Sequence, residues 1–376
     1  MSKKRPLPQR IAHSLLGKLE REFPKLSRLL SYHSIVEWPS RHVSSNFYTK
    51  KARWFDAPYR EALNKIAYDH EFEGVDFHNA EQIPVSILHT DDYFILGHVK
   101  APICRSTGKL LSYSPLQRVT LTDAYPRPSP RKKIVLSGAV IFIPNIENYF
   151  HLLVDYLLPP IASLIREPTR YSNVNFVIQR QFPLINFFIS ILKSRGIDSK
   201  TIELKKHHQV SGGALIIGAA EPRDAACAFV YEDELEMISE EIDANLPLIS
   251  MPKRFYVKRT GTPRRLLKNE QELIKILETF NVVPVELDYH RYLEQIALFR
   301  NAELIISVHG AALANLIWSK KAKVIELFPQ TSRPKHYIHI AAQMGLEYHA
   351  IIGSPGDKKD SFNVNINEII PIIGKN

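Results

Sequence analysis

The stretch Leu304-Ile305-Ile306-Ser307-Val308-His309-Gly310-Ala311-Ala312-Leu313-Ala314-Asn315-Leu316 decides the fold. An apolar run rich in β-branched residues breaks at His309-Gly310 and continues in good helix formers. It reads as a buried strand, a tight turn and a helix start, with small residues where backbone approaches something closely. A helix that begins at the carboxyl end of a parallel strand offers N–H groups and the positive end of its dipole, a setting for a phosphate or diphosphate. The structural alternative is that Gly310, Ala311 and Ala312 only let helix and strand pack tightly.

Working outward, residues 255–257, 282–287, 304–308 and 324–328 read as strands, and 269–280, 291–300, 310–318 and 335–344 as helices. Strands alternating with helices of this length predict a parallel, doubly wound sheet. Ligands of such sheets sit outside the carboxyl ends of the strands. His309, Gly310 and Glu326 fall at those ends and are predicted to share one cleft. No G-x-G-x-x-G follows any of the strands, which argues against a dinucleotide, and no cofactor is expected.

Two further clusters carry chemistry. After the first strand comes Lys258-Arg259-Thr260-Gly261-Thr262-Pro263-Arg264-Arg265, leading to Asn269 as an N-cap with Glu272 in the capping-box position. Guanidinium groups in such a loop suit bidentate grip of a diphosphate; a solvated basic turn is the alternative. Upstream lies Asn148-Tyr149-Phe150-His151-Leu152-Leu153-Val154-Asp155-Tyr156-Leu157-Leu158-Pro159. His151 and Asp155 are four apart, so on a helix they share a face. A carboxylate beside an imidazole fixes its tautomer and raises its basicity, as a general base requires, though a plain helix-surface contact has the same spacing.

Taken together, "ENYFHLLVDYLLP", "RFYVKRTGTPRRLLKNEQEL" and "SVHGAALANLIWSKKAKVIELFP" resemble glycosyltransferase family 61, including its bacterial members linked to capsular and other surface polysaccharides. The motifs stand in the family's order and the resemblance covers roughly residues 133–352. It implies a GT-B architecture, two Rossmann-like domains facing a cleft, with the donor on the C-terminal domain and most of the acceptor site on the N-terminal one. It implies inverting, metal-independent transfer from a nucleotide sugar, a UDP-sugar, to a glycan or lipid-linked acceptor in surface polysaccharide biosynthesis. By position, Arg259, Arg264, His309, Gly310, Ala311, Ala312 and Leu313 would hold the donor diphosphate. Asn315 would support the turn, Glu326 would face the nucleoside, and His151 with Asp155 would be catalytic, His151 as the base.

Metal independence has a second support in the residues. A metal-dependent transferase usually sets an Asp-x-Asp type pair at a strand end to hold a divalent cation. The acidic runs here are Asp91-Asp92, in a turn-like setting, and Glu232-Asp233-Glu234, opening a polar helix; neither follows a strong apolar strand.

A chain of 376 residues has room for two domains with their own cores. Its apolar runs are too short to span a bilayer, no signal-peptide core follows Met1-Ser2-Lys3-Lys4-Arg5, and Cys104 and Cys227, the two cysteines, read as packing residues in a reducing compartment. A cytoplasmic enzyme is expected. The net charge is +10, and up to Arg53 twelve Lys and Arg face three Glu, nine charges of that excess. Ile11, Leu15, Leu19, Phe23, Leu26 and Leu30 recur there at helical spacing. Such a segment suits an anionic membrane surface, here the inner face of the plasma membrane, or packs on its own domain; no nucleic-acid module accompanies the charge.

The predicted organisation is a basic, mainly helical lead-in over 1–80, a β-rich segment over 81–131, an N-terminal Rossmann-like acceptor domain over 132–248 and a C-terminal donor domain over 249–376. A nucleotide-sugar epimerase-like enzyme and a non-catalytic nucleotide- or sugar-binding protein remain as alternatives on the same scaffold.

Overall fold

The computed structural model describes residues 36–37, 45–51, 53, 56–66, 82–99, 101–111, 130–146, 148–219, 231–260, 263–288 and 291–374. The amphipathic pattern of 11–30, most of the Pro-rich linker, Gly261 and Cys227 lie outside them. The protein is mixed α/β and divides into two compact units. The first comprises 1–48, 84–147 and 151–226; the second 49–83, 148–150 and 227–376. The compact units therefore part at 226/227, not at 248, and the β-rich segment is no separate body.

The second unit is built on β1 (Arg254–Val257), β2 (Val283–Val285), β3 (Leu304–Val308), β4 (Lys323–Phe328) and β5 (Glu347–Ile352), all parallel, in the order β2-β1-β3-β4-β5. All five residues of β3 are buried, as expected of a central strand covered on both faces. Pro284 sits in β2, an edge strand, where a residue without an N–H is tolerated; that strand is shorter than the 282–287 expected.

Helices α1 (Glu270–Thr279), α2 (Tyr292–Arg300), α3 (His336–Gln343) and α4 (Ile366–Ile373) join or follow these strands. Leu273 and Leu277 of α1, one turn apart, enter a core shared with Ile306, Ile325, Ile351 and Phe362. β5 and α4 have no counterpart in the sequence reading. The helix expected over 310–318 is a 3-10 helix, Ala311–Trp318. Asn269 precedes α1 without capping it: its side chain instead donates to the Val364 carbonyl and accepts from the Val364 N–H. Helix Ala57–Ile66, from the lead-in, belongs to this unit, where the Tyr59 hydroxyl donates to the Leu346 carbonyl.

The first unit contains two sheets. In one, Asp198–Glu203, Asn173–Ile178, Ala139–Ile143 and Ala214–Ala219 run parallel in that spatial order, and Gln82–Thr90 follows antiparallel. In the other, Tyr93–Leu96 pairs antiparallel with His208–Ser211, which pairs parallel with Lys132–Val135. Helix Pro183–Ser194, opened by a proline at its first position, buries Leu184, Phe188 and Ile191. Among the described residues no helix is long and apolar enough to cross a membrane.

Candidate functional site

In a sheet of order 2-1-3-4-5 the chain turns in opposite directions on leaving the first and third strands, and the crevice between their carboxyl ends is the ligand site. Here those ends are Lys258-Arg259 after β1 and His309-Gly310 after β3. Arg259 reaches across: its Nη1 donates to the His309 carbonyl (3.0 Å) and its Nε to the Arg264 carbonyl (2.7 Å). A second guanidinium, Arg265, donates to the same His309 carbonyl (3.2 Å). Neither forms an ion pair with a carboxylate among the described residues. Burial and the charge of Arg265 push Arg259 down to about 10, and burial lowers Arg265 too. Two half-buried guanidiniums side by side make the crevice strongly electropositive.

The helix that opens beside them adds backbone donors. The first N–H groups of any helix lack intrahelical partners. Here the Leu313 N–H donates to the Gly310 carbonyl, so the donors left for a ligand are those of Gly310, Ala311 and Ala312. A Cβ at Gly310 would lie 2.2 Å from the Arg259 Nη1, which explains the glycine without any appeal to φ. Leu313 itself is wholly buried and helps only as packing.

By sequence position Arg264, not Arg265, is expected at the diphosphate. Arg264 points away, to Asp360 (3.0 Å), with its side chain 65% exposed. Two adjacent arginines in one loop carry no sequence signal that separates them; the local sign that does, a positive φ at Arg265, appears in the structure alone.

Beneath the crevice, His309 is buried. Its Nδ1 lies 2.5 Å from Glu326 Oε1, its ring stacks on Phe328, and Tyr337 lies 4.9 Å away, while the Tyr348 hydroxyl donates to the other Glu326 oxygen. Burial pushes Glu326 up to about 8 and His309 well below its ordinary value, the latter helped by Arg265 and Arg259. Glu326 is fully buried with both oxygens engaged, so it holds His309 rather than facing a nucleoside.

Asn315, also fully buried, donates to the Ala312 carbonyl (3.0 Å) and to Gln295, and accepts from the Tyr149 hydroxyl (3.0 Å). Phe150 packs edge-on against Tyr337. The first residues of the upstream motif therefore belong to the second unit, and the chain enters the first unit at His151.

His151 opens a π-helix, His151–Leu157, that runs into the α-helix Leu158–Arg166. Pro159 and Pro160 have no N–H, so neither the α nor the π pattern can supply a donor to the Asp155 carbonyl, and a regular ladder cannot pass this point. Gly218 admits the ring: a Cβ there would meet Pro159 at 2.5 Å. The His151 Nδ1 lies 2.8 Å from Asp155 Oδ2, with side-chain exposures of 24% and 5%. The carboxylate is buried and the imidazole is partly exposed.

The acidic runs are engaged elsewhere. Asp92 accepts from Ser106 and from the buried, free Cys104, and Lys50 sits among Glu232, Asp233 and Glu234. Among the described residues no three His, Cys, Asp or Glu side chains gather as a metal site would need.

A parallel sheet with paired arginines and helix N–H groups at its switch point defines the class: an α/β domain with a candidate ligand site at its carboxyl edge. The particular family follows from comparison. The glycosyltransferase 61 model matches residues 149–325, from Tyr149 to the strand carrying Glu326, so this part of the chain is similar to that family.

Similar proteins include protein O-linked-mannose β-1,4-N-acetylglucosaminyltransferase 2 of Homo sapiens, 29% identical over 104 residues, which are 27% of this chain and 18% of that protein. The protein of the same name from Xenopus tropicalis is 38% identical over 77 residues, 19% of this chain and 13% of the other. A β-1,2-xylosyltransferase of Oryza sativa subsp. japonica is 26% identical over 150 residues, 37% of this chain and 28% of the other. The matches thus span under a third of each relative. These relatives overturn the expected cytoplasmic location at the inner face of the plasma membrane, because transferases of these kinds are luminal, ER- or Golgi-type enzymes.

Proposed function

We propose that the protein is a glycosyltransferase that moves a sugar from a nucleoside-diphosphate sugar, a UDP-sugar, to a glycan hydroxyl. The observation that carries this reading is the pair Arg259 and Arg265 converging on one carbonyl at the switch point, neither in an ion pair with a carboxylate among the described residues. As the glycosidic bond to the donor breaks, negative charge grows on the departing diphosphate. Two preorganised guanidiniums and the Gly310–Ala312 N–H groups are placed to stabilise it. Protein groups thus supply the charge a divalent cation would otherwise bring, which supports a metal-independent transfer. His309, locked by Glu326 and Tyr348, fixes the carbonyl on which both arginines rest.

The acceptor hydroxyl must lose a proton as it attacks the anomeric carbon. His151, half-open and held by Asp155, is the base of this reading. Attack from the side opposite the diphosphate inverts the anomeric centre. A GT-B enzyme divides the work in this way, donor on one domain and base on the other. The similar O-linked-mannose β-1,4-N-acetylglucosaminyltransferases act, by their name, on a protein-linked sugar, which supports a glycan here; a lipid-linked or surface-polysaccharide acceptor rests on the sequence resemblance.

The test is donor binding. Thermal stabilisation by UDP-, GDP- and CMP-sugars identifies the nucleotide, since ligand at about 100 times its dissociation constant adds about 2.7 kcal/mol. Replacing Arg259 or Arg265 by Ala should then weaken that binding by about 1.5–3 kcal/mol each, with Lys a partial rescue. Undiminished affinity in both Ala variants would remove the diphosphate from this crevice. Turnover that survives a chelator supports the metal-independent form of the reaction.

A further inference from the structure

We infer that Asp360, remote in sequence from the arginine loop, is the positioning residue that sorts its three guanidiniums and presents Arg259 and Arg265 to the diphosphate. The inference rests on the diphosphate reading above. Arg264 and Arg265 are chemically identical neighbours, yet Arg265 enters the crevice and Arg264 leaves it. The backbone decides the first half. Arg265 adopts φ 58, a left-handed conformation that a residue with a side chain holds only when its surroundings impose it.

The loop after β5 imposes it. The Arg265 N–H donates to the Lys359 carbonyl (2.8 Å), and the Phe362 N–H donates to the Leu266 carbonyl (3.0 Å). That loop is itself fixed: the Asp357 carboxylate accepts from the Lys359 and Ser361 N–H groups, and Asp360 takes φ 60.

The side chain of Asp360 decides the second half. Its Oδ2 holds Arg264 Nη2 at 3.0 Å, and Oδ1 faces the Thr331 hydroxyl at 3.5 Å, so one carboxylate ties together the loops after β1, β4 and β5. With its side chain anchored there, Arg264 turns its carbonyl to Arg259 Nε (2.7 Å) and so sets the angle of the catalytic crevice's first guanidinium. Three guanidiniums in one loop repel one another, and Asp360 pairs with the one not aimed at His309. Arg264 is largely exposed and Asp360 partly so, and ion pairs screened by solvent add little stability. Its contribution is therefore geometric.

Calorimetric binding of inorganic diphosphate to the full chain tests this, with wild type, Asp360→Asn, Asp360→Glu, Arg264→Ala and the Asp360→Asn, Arg264→Ala double variant. Asp360→Asn should weaken binding about fivefold to tenfold with an unchanged melting temperature, Asp360→Glu should restore part of it, and the double variant should match the worse single one. Were Arg264 itself the grip, Asp360→Asn would tighten binding by removing a competing anion; tighter, unchanged or additive results each overturn the inference. If wild type and Arg259→Ala bind diphosphate equally poorly, the diphosphate reading itself falls, whatever Asp360 does.

Discussion

Two of the histidine–carboxylate pairs among the described residues join through Nδ1 at nearly the same distance, His309–Glu326 at 2.5 Å and His151–Asp155 at 2.8 Å, and they differ in what surrounds them. The first is sealed: Glu326 is fully buried and His309 is 4% exposed, packed against Phe328 and Tyr337 and closed by Tyr348. The second opens at the imidazole, whose side chain is 24% exposed. Burial, not chemical identity, separates the two: one is a structural tie from which water is excluded, the other the partly exposed pair proposed above for proton transfer.

The open pair should be felt in rate. His151→Ala and Asp155→Asn are each expected to lower turnover about 10²–10⁴-fold while donor affinity holds, and the double variant should be scarcely worse than the poorer single one, because the two act as a unit. Steady-state kinetics beside donor binding checks this; a folded double variant with wild-type turnover would place the base elsewhere.

The sealed pair should be felt in stability. Glu326→Ala leaves His309 and Tyr348 with buried, unmatched polar atoms, and is expected to cost about 3–5 kcal/mol in urea unfolding of the second unit. Asp155→Asn, which keeps an acceptor oxygen beside an accessible ring, should cost about 1 kcal/mol or less. Equal losses at the two sites would erase the distinction.

The smallest effect is the pH dependence of the sealed pair. Glu326 rises from 4.5 to about 8 on folding through burial, so its stabilising contribution is complete below its unfolded value and is lost as pH rises towards 8. His309 is lowered from 6.5, so below that pH the unfolded chain takes a proton the folded one refuses, and stability falls as pH falls. The slopes oppose each other between 4.5 and 6.5. Above that only Glu326 acts, and unfolding free energy should drop by up to about 1.4 kcal/mol per pH unit towards pH 8. Glu326→Gln should flatten this alkaline arm and leave the acid arm; an unchanged alkaline slope would mean the carboxyl is ionised in the fold.

Much of the second unit was legible in the chain. β3 falls where its apolar, β-branched run predicts, and α1, α2 and α3 lie within a residue of their expected limits, because hydrophobic periodicity is a local property that burial on a sheet enforces. His151 and Asp155 meet because four residues make roughly one helical turn, and that spacing survives the widening to a π-helix. Gly310 marks a close approach, as read, although the group that approaches is Arg259.

Partner choice and burial were not legible. Arg264 and Arg265 are indistinguishable in sequence, and a carbonyl at Lys359 and a carboxylate at Asp360 decide between them. Glu326 sits at a strand end, where acidic residues often meet ligands, yet Tyr348 and His309 close over it. Asn269 has the right identity and spacing for an N-cap but is drawn off by Val364. The sequence by itself determined which segments become strands and helices, since that depends on neighbours a few residues away. The tertiary structure alone decided which charges face an anion and which are buried, because desolvation and hydrogen-bond competition depend on groups brought together from about a hundred residues apart.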